Sequence, residues 1–205
     1  MAKLVDEVAR EKAVRRYGLP NDLHIPIGAR DENAISNYIG EITQVLSKRG
    51  TPKAYLVENS ELPIINEKLE IWKLEASSIL HAPKQVWVDV NYSCYRKAYQ
   101  RAFPEEDIAF SVIDHIINRR VARLSNFKFI RIIPITKGVN SNSGTITERY
   151  GFDYHSSPEK QALNKKDTSQ IQYADFADIV KMLNIPTGGK FQEGVNEAQK
   201  YLREF

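Results

Sequence analysis

One cysteine, Cys94, stands alone in a chain of 205 residues. That count excludes an internal disulfide and any zinc cage built from cysteine pairs. A reducing, cytoplasmic setting is the expectation. No apolar run approaches the roughly 20 residues that a membrane-crossing helix needs, so no membrane partner is expected. The opening MAKLVDEVAREKAVRRYG mixes charge with apolar residues and lacks the apolar centre of a secretion signal. There is no phosphate-cradling glycine loop, no zincin motif and no serine elbow, and the GGK at 188–190 lacks the rest of a P-loop. A restriction-type Asp…Glu-x-Lys core is also missing: Glu58 and Glu61 precede EKLEIWKLE, but no clean strand carries the Glu-x-Lys tail. One absence is local. From Ile116 to Thr147 no acidic residue occurs, while six basic ones do: Arg119, Arg120, Arg123, Lys128, Arg131 and Lys137.

With 42% apolar and 27% charged residues, the chain has the composition of a folded domain and not of a disordered one. Its length suits a single domain. The net charge of +3 says little, but the one-sign segment suits a polyanion. The plain alternative is a solvated basic face.

Periodicity predicts a helix over 3–17 and, after a loop, a second over 34–48 capped by Asp31 or Asn33 and ended by Gly50. Strands are expected at 54–58 and 86–90, with a helix over 64–80 between them. Asn91 is the expected cap of a helix over 92–103. Strands over 110–116 and 127–135 flank a basic loop, and Pro134 marks an edge or the end of pairing. The run KGVNSNSGT reads as turns, and the chain from Asp153 to Ser169 reads as loop. Helices over 173–183 and 193–204 close the chain.

The chemistry-bearing residues cluster between the two strands. Asp114 and His115 end the first, the basic loop INRRVARLSN follows, and after the second strand come Gly138, Val139, Asn140, Ser141 and Asn142. His115 and Asn140 are 25 positions apart. This stretch, about residues 110–148, resembles the HNH branch of the His-Me finger (ββα-metal) endonucleases. DHIINRRVA is close to that family's opening, and KGVNSNSG is similar to its closing Asn followed by small polar residues. The resemblance implies an α+β fold: a ββα-metal (HNH-like) core over 86–155, a mainly helical part over 1–85, and a loop with C-terminal helices over 156–205, in one domain. It implies an endonuclease that hydrolyses phosphodiesters, DNA ahead of RNA, with one Mg²⁺ or Mn²⁺. His115 is then the general base, since a neutral imidazole takes a proton from water near pH 7. Asn126 orients the imidazole. Asp114 with Asn140 or Asn142 offers the oxygen ligands that a hard cation prefers. Arg119, Arg120, Arg123, Lys128, Arg131 and Lys137 contact nucleic acid, with the arginines clamping phosphates. Double-strand cutting needs two sites, hence a homodimer.

Other candidates have plainer readings. His24 reads as a loop hydrogen-bonder and His81 as a helix terminus. His155 is a surface histidine or approaches the site from after the motif, and Glu148 forms a surface salt bridge or reaches the metal. Asp89 and Asn91, with Tyr92, Tyr95 and Arg96, form a helix cap and aromatic face or a second polar cleft. Cys94 reads as a small core residue. Two rival functions stay open: a non-catalytic nucleic-acid-binding protein, and an interaction module with a degenerate HNH core whose basic face meets an acidic partner.

Overall fold

The computed structural model describes residues 4–17, 25–59, 82–145, 147–185 and 196. The helices expected over 64–80 and 193–204, together with His24 and His81, lie outside the described residues, Asn196 excepted. The described chain is α+β, with helices on an antiparallel sheet.

The sheet is organised by its longest strand, β6 (Phe129–Thr136). Its sequence FIRIIPIT is rich in the β-branched residues that suit a pleated surface. On one edge it pairs with β4 (Lys84–Asp89), from Val86↔Ile132 to Asp89↔Phe129. The opposite edge is shared. Gly28 and Ala29 of β1 (Pro26–Ala29) pair with Ile130 and Phe129, and β5 (Ser111–His115) pairs beyond them, from His115↔Ile132 to Ser111↔Thr136. Further strands extend the sheet outward: β3 (Ala54–Glu58) and β2 (Glu41–Val45) beyond β4, and β7 (Ile171–Tyr173) beyond β1. Pro134 falls past Ile132, where pairing with β4 stops, so its missing N–H breaks no bond on that side.

Eight helices are described: α1 (Glu7–Tyr17), α2 (Glu32–Tyr38), α3 (Tyr95–Ala102), α4 (Arg119–Leu124), α5 (Lys137–Thr145), α6 (Thr147–Ser156), α7 (Pro158–Lys165) and α8 (Phe176–Met182). Several depart from sequence expectation. Asp31 does cap α2, accepting from Ala34 N at 2.8 Å, but the helix stops at Tyr38 and the chain turns into β2. Gly40 permits the turn: a methyl there would land in the backbone carbonyl of Glu58. Among the described residues before 85, the chain supplies β1, β2, β3 and the start of β4 beside helices α1 and α2. Asn91 does not cap α3. Its N–H donates to Asp89 Oδ1 at 2.8 Å, and the helix begins a turn later. The basic loop contains α4, capped by Asn118 accepting from Arg120 N at 2.8 Å.

The largest difference lies after β6. KGVNSNSGT is helical, starting directly from the strand, with Thr136 Oγ1 accepting from Val139 N at 3.3 Å. The stretch expected as loop from Asp153 is α6 and α7, the latter capped by Ser157 with Pro158 in its first turn. Serine, asparagine and glycine lower the helix propensity of KGVNSNSGT, and packing of α5 on β5 and β6 overrides it.

Gly40→Ala is expected to lower stability by about 2 kcal/mol, as small-to-large changes at packed sites do. The urea midpoint of the variant against wild type measures it.

Candidate functional site

β5 delivers Asp114 and His115 as neighbours, and neighbours on a strand leave opposite faces. His115 turns toward α3, where Tyr95 meets the imidazole edge-on at 4.5 Å between ring centroids. Asp114 turns toward α8. There Lys181 lies 2.8 Å from Asp114 Oδ2 and donates to the carbonyl oxygen of His115 at 2.7 Å. Lys181 is 4% exposed, so this ammonium sits inside the protein. Its contact with Oδ2 is an ion pair by proximity, since no directed hydrogen bond reaches that oxygen. The other carboxylate oxygen, Oδ1, accepts from His115 N at 2.8 Å and stands 3.9 Å from His115 Nδ1.

His115 is 6% exposed, and its Nε2 has no hydrogen-bond partner. Burial pushes its pKa down from 6.5 to about 4; Asp114 opposes the shift, while Arg119 and Lys181 add to it. The ring is therefore neutral at pH 7, as a general base must be, but it is buried and weakly basic. Two neighbours fix the frame. Arg96 of α3 donates to the carbonyls of Ile108 and Ser111, at 2.7 and 2.8 Å, and so pins the entry to β5. Asn184 Oδ1, just past α8, accepts from Thr136 N at 2.8 Å and ties that helix to the end of β6.

The other expected residues divide. Asn126 is exposed in the turn after α4, at φ 61°, and forms no hydrogen bond to the imidazole; the orienting role assigned to it is not seen. Asn140 lies in the first turn of α5, half-buried, and α5 packs on both β5 and β6. Asn142 falls in the same helix, but its side chain is outside the described set, as is that of Glu148.

Arg119, Arg120, Arg123 and Lys137 are exposed. Arg120 stacks over Phe152 at 5.6 Å, and Arg123 Nη2 donates to Val90 O at 3.1 Å. Lys128 is exposed but stands 3.6 Å from Glu32. Arg131 corrects the sequence reading. It is 2% exposed in the middle of β6, where burial pushes its pKa down to about 10, and it cannot meet a phosphate on the surface. It lines a half-open pocket of about 540 Å³ with Tyr99, Glu106 and Met182. His155 lines a different cavity, of about 40 Å³, with Lys12, Lys160 and Asp167; Asp114, His115 and Lys181 do not line it. Cys94 is exposed at the start of α3 instead of filling the core.

Sequence reasoning missed Lys181, and it set Tyr95 and Arg96 in a separate helix cap or polar cleft instead of beside His115 and β5. Lys181 had a signal: it sits within IVKM, where all four side chains are buried. A lysine buried on such a helix needs an acidic partner.

As arranged, the site does not fit a divalent cation. Mg²⁺ asks for oxygen ligands at about 2.1 Å in near-octahedral geometry. Asp114, the carboxylate available for that role, already holds an ammonium on one oxygen and a backbone N–H on the other. Among the described residues no group of three or more His, Cys, Asp or Glu side chains is placed to hold a metal. Nor is any described helix long and apolar enough to cross a membrane. Compared with family models, curated proteins and solved structures, the chain matches none.

The burial of neutral His115 has a pH signature. Its folded pKa lies below its unfolded value, so the unfolded chain binds the extra proton between pH 6.5 and about 4. Its contribution is fully present above pH 6.5 and is lost as pH falls toward 4. The loss is about 3 kcal/mol at most, from the conversion of about 1.4 kcal/mol per pKa unit. Urea unfolding of wild type and His115→Gln at pH 7 and pH 4.5 checks this: the variant is expected to show the smaller drop.

Proposed function

We propose that this chain binds nucleic acid, along the phosphate backbone, through the surface built by α4 and the start of α5. The observation that carries the reading is the exposure of Arg119, Arg120, Arg123 and Lys137 in a segment with no acidic residue. Guanidinium groups suit phosphate oxygens because their fork pairs two donors with one anion. Phe152 under Arg120 gives that side chain a rigid support.

A second reading adds hydrolysis of the bound strand, with His115 as base, as in the ββα-metal nucleases. What favours it is the order of elements: two antiparallel strands with Asp114 and His115 at the end of the first, then helix α5 carrying Asn140 and packed on both. The buried imidazole and the engaged Asp114 carboxylate weigh against it in this conformation, so binding stands first.

Fluorescence anisotropy with labelled DNA and RNA across a salt series tests the binding. Affinity is expected to fall steeply with salt, and Arg119→Ala, Arg120→Ala and Arg123→Ala together to flatten the log–log slope by about 2–3. No binding at low salt would sink the proposal. Plasmid nicking with Mg²⁺, Mn²⁺ or EDTA separates the readings. Metal-dependent cutting that disappears in His115→Ala raises the second above the first, and binding without cutting leaves the first alone.

A further inference from the structure

We propose that the ammonium of Lys181 is the resident cation of the Asp114 position and fills the place where a ββα-metal unit would hold a divalent ion. The inference rests on the ββα reading only for which position a metal would take. The location of the ammonium is a matter of geometry.

Three observations carry it. The first is coordination: Lys181 Nζ engages two oxygens at once, Asp114 Oδ2 at 2.8 Å and the His115 carbonyl at 2.7 Å. Donor oxygens from a carboxylate and a main-chain carbonyl are what a hard cation also takes. Here an ammonium takes the carbonyl through an N–H donor and the carboxylate oxygen by charge at contact distance. The second is anchorage. α8 starts from a capping box between Asp175 and Asp178, buries Ile179, Val180 and Met182, and is tied at its end by Asn184 to Thr136. Lys181 therefore cannot swing aside like a surface lysine without unseating the helix. The third is charge. Asp114 faces the buried ammonium, and Asp178, one turn earlier on α8 and also sensing Lys181, is pushed toward its neutral form by burial, whereas a divalent ion beside them would meet a like charge in a poorly solvated site.

The test uses the full chain as wild type, Lys181→Met, Asp114→Asn and the double variant. Mn²⁺ binding is read by calorimetry, and thermal unfolding is read with Mn²⁺ or EDTA. Wild type is expected to unfold at the same temperature in both conditions and to show no Asp114-dependent Mn²⁺ site. Lys181→Met is expected to unfold earlier in EDTA and to recover several degrees with Mn²⁺, and the double variant is expected to lose that recovery. A single Mn²⁺ site in wild type that Asp114→Asn removes would overturn the proposal. So would a folded Lys181→Met that takes up no Mn²⁺. If Lys181→Met does not fold, wild type against Asp114→Asn decides: the same Mn²⁺ response in both supports the ammonium, and a response lost in Asp114→Asn overturns it. Nucleic-acid affinity measured on the same preparations fails or holds separately, since it depends on the exposed arginines.

Discussion

One edge of β6 is taken along its length and the other as far as Ile132, and the rest of the described structure follows from that constraint. On one side β4 covers Phe129 to Ile132. On the other, β1 and β5 share the edge end to end, with β1 at Phe129 and Ile130 and β5 from Ile132 onward. The chain leaving β5 at His115 therefore meets β1 and has to leave the sheet. Ile117 packs where Gly28 has no side chain, and α4 follows outside the edge. Val121 and Ala122 of that helix turn inward, which leaves Arg119, Arg120 and Arg123 facing solvent. The exposed basic surface is a consequence of strand competition for one edge of β6.

The same strand carries positive charge inward. Arg131 sits within it, opposite Trp87 of β4, and Lys181 reaches its neighbour β5 from α8. A buried cation costs far more than an exposed one unless it is paired. Arg131 lines a pocket with Tyr99 and Glu106, and the Tyr99 hydroxyl donates to Glu106 at 2.9 Å. Lys181 is paired with Asp114. The basic residues between Ile116 and Thr147 thus have two fates: the alternation of β6 sends Arg131 into the interior, while α4 and the start of α5 keep their charges outside.

How much of this was legible depends on how local the signal was. β3, β4, β5 and β6 announce themselves through β-branched runs, and Pro134 marks the end of pairing with β4. The Asp31 cap was readable because a cap acts within three residues. β1 was not, since Pro-Ile-Gly-Ala carries no alternation and becomes a strand only because β6 and β7 lie beside it. The helical pattern over 34–48 was overridden by the pairing of β2 with β3. At the site, Asp114 and His115 were visible as a dipeptide, but their surroundings were not. Tyr95 and Lys181 lie 20 positions before and 66 after His115, and only the fold brings them in. The exposed arginines were legible as charge. The burial of Arg131 in the same run was missed, although alternation set it beside Phe129 and Ile133 on one face of its strand.

An Asp-His pair between two strands does not by itself specify a metal; the group that balances Asp114 does. A divalent ion would polarise a phosphate and lower the pKa of a bound water. An ammonium donates hydrogen bonds and neutralises charge, but it activates no water in that way. With Lys181 in place, Asp114 is a partner within the core, and His115 is held neutral by burial, with Tyr95 against its ring and Lys181 bonded to its own carbonyl. The arginines of α4 need none of this to meet a phosphate backbone. Binding and cutting thus rest on separate sets of side chains, joined through β5 and α4, and a change at Lys181 alters the second set while leaving the arginines exposed.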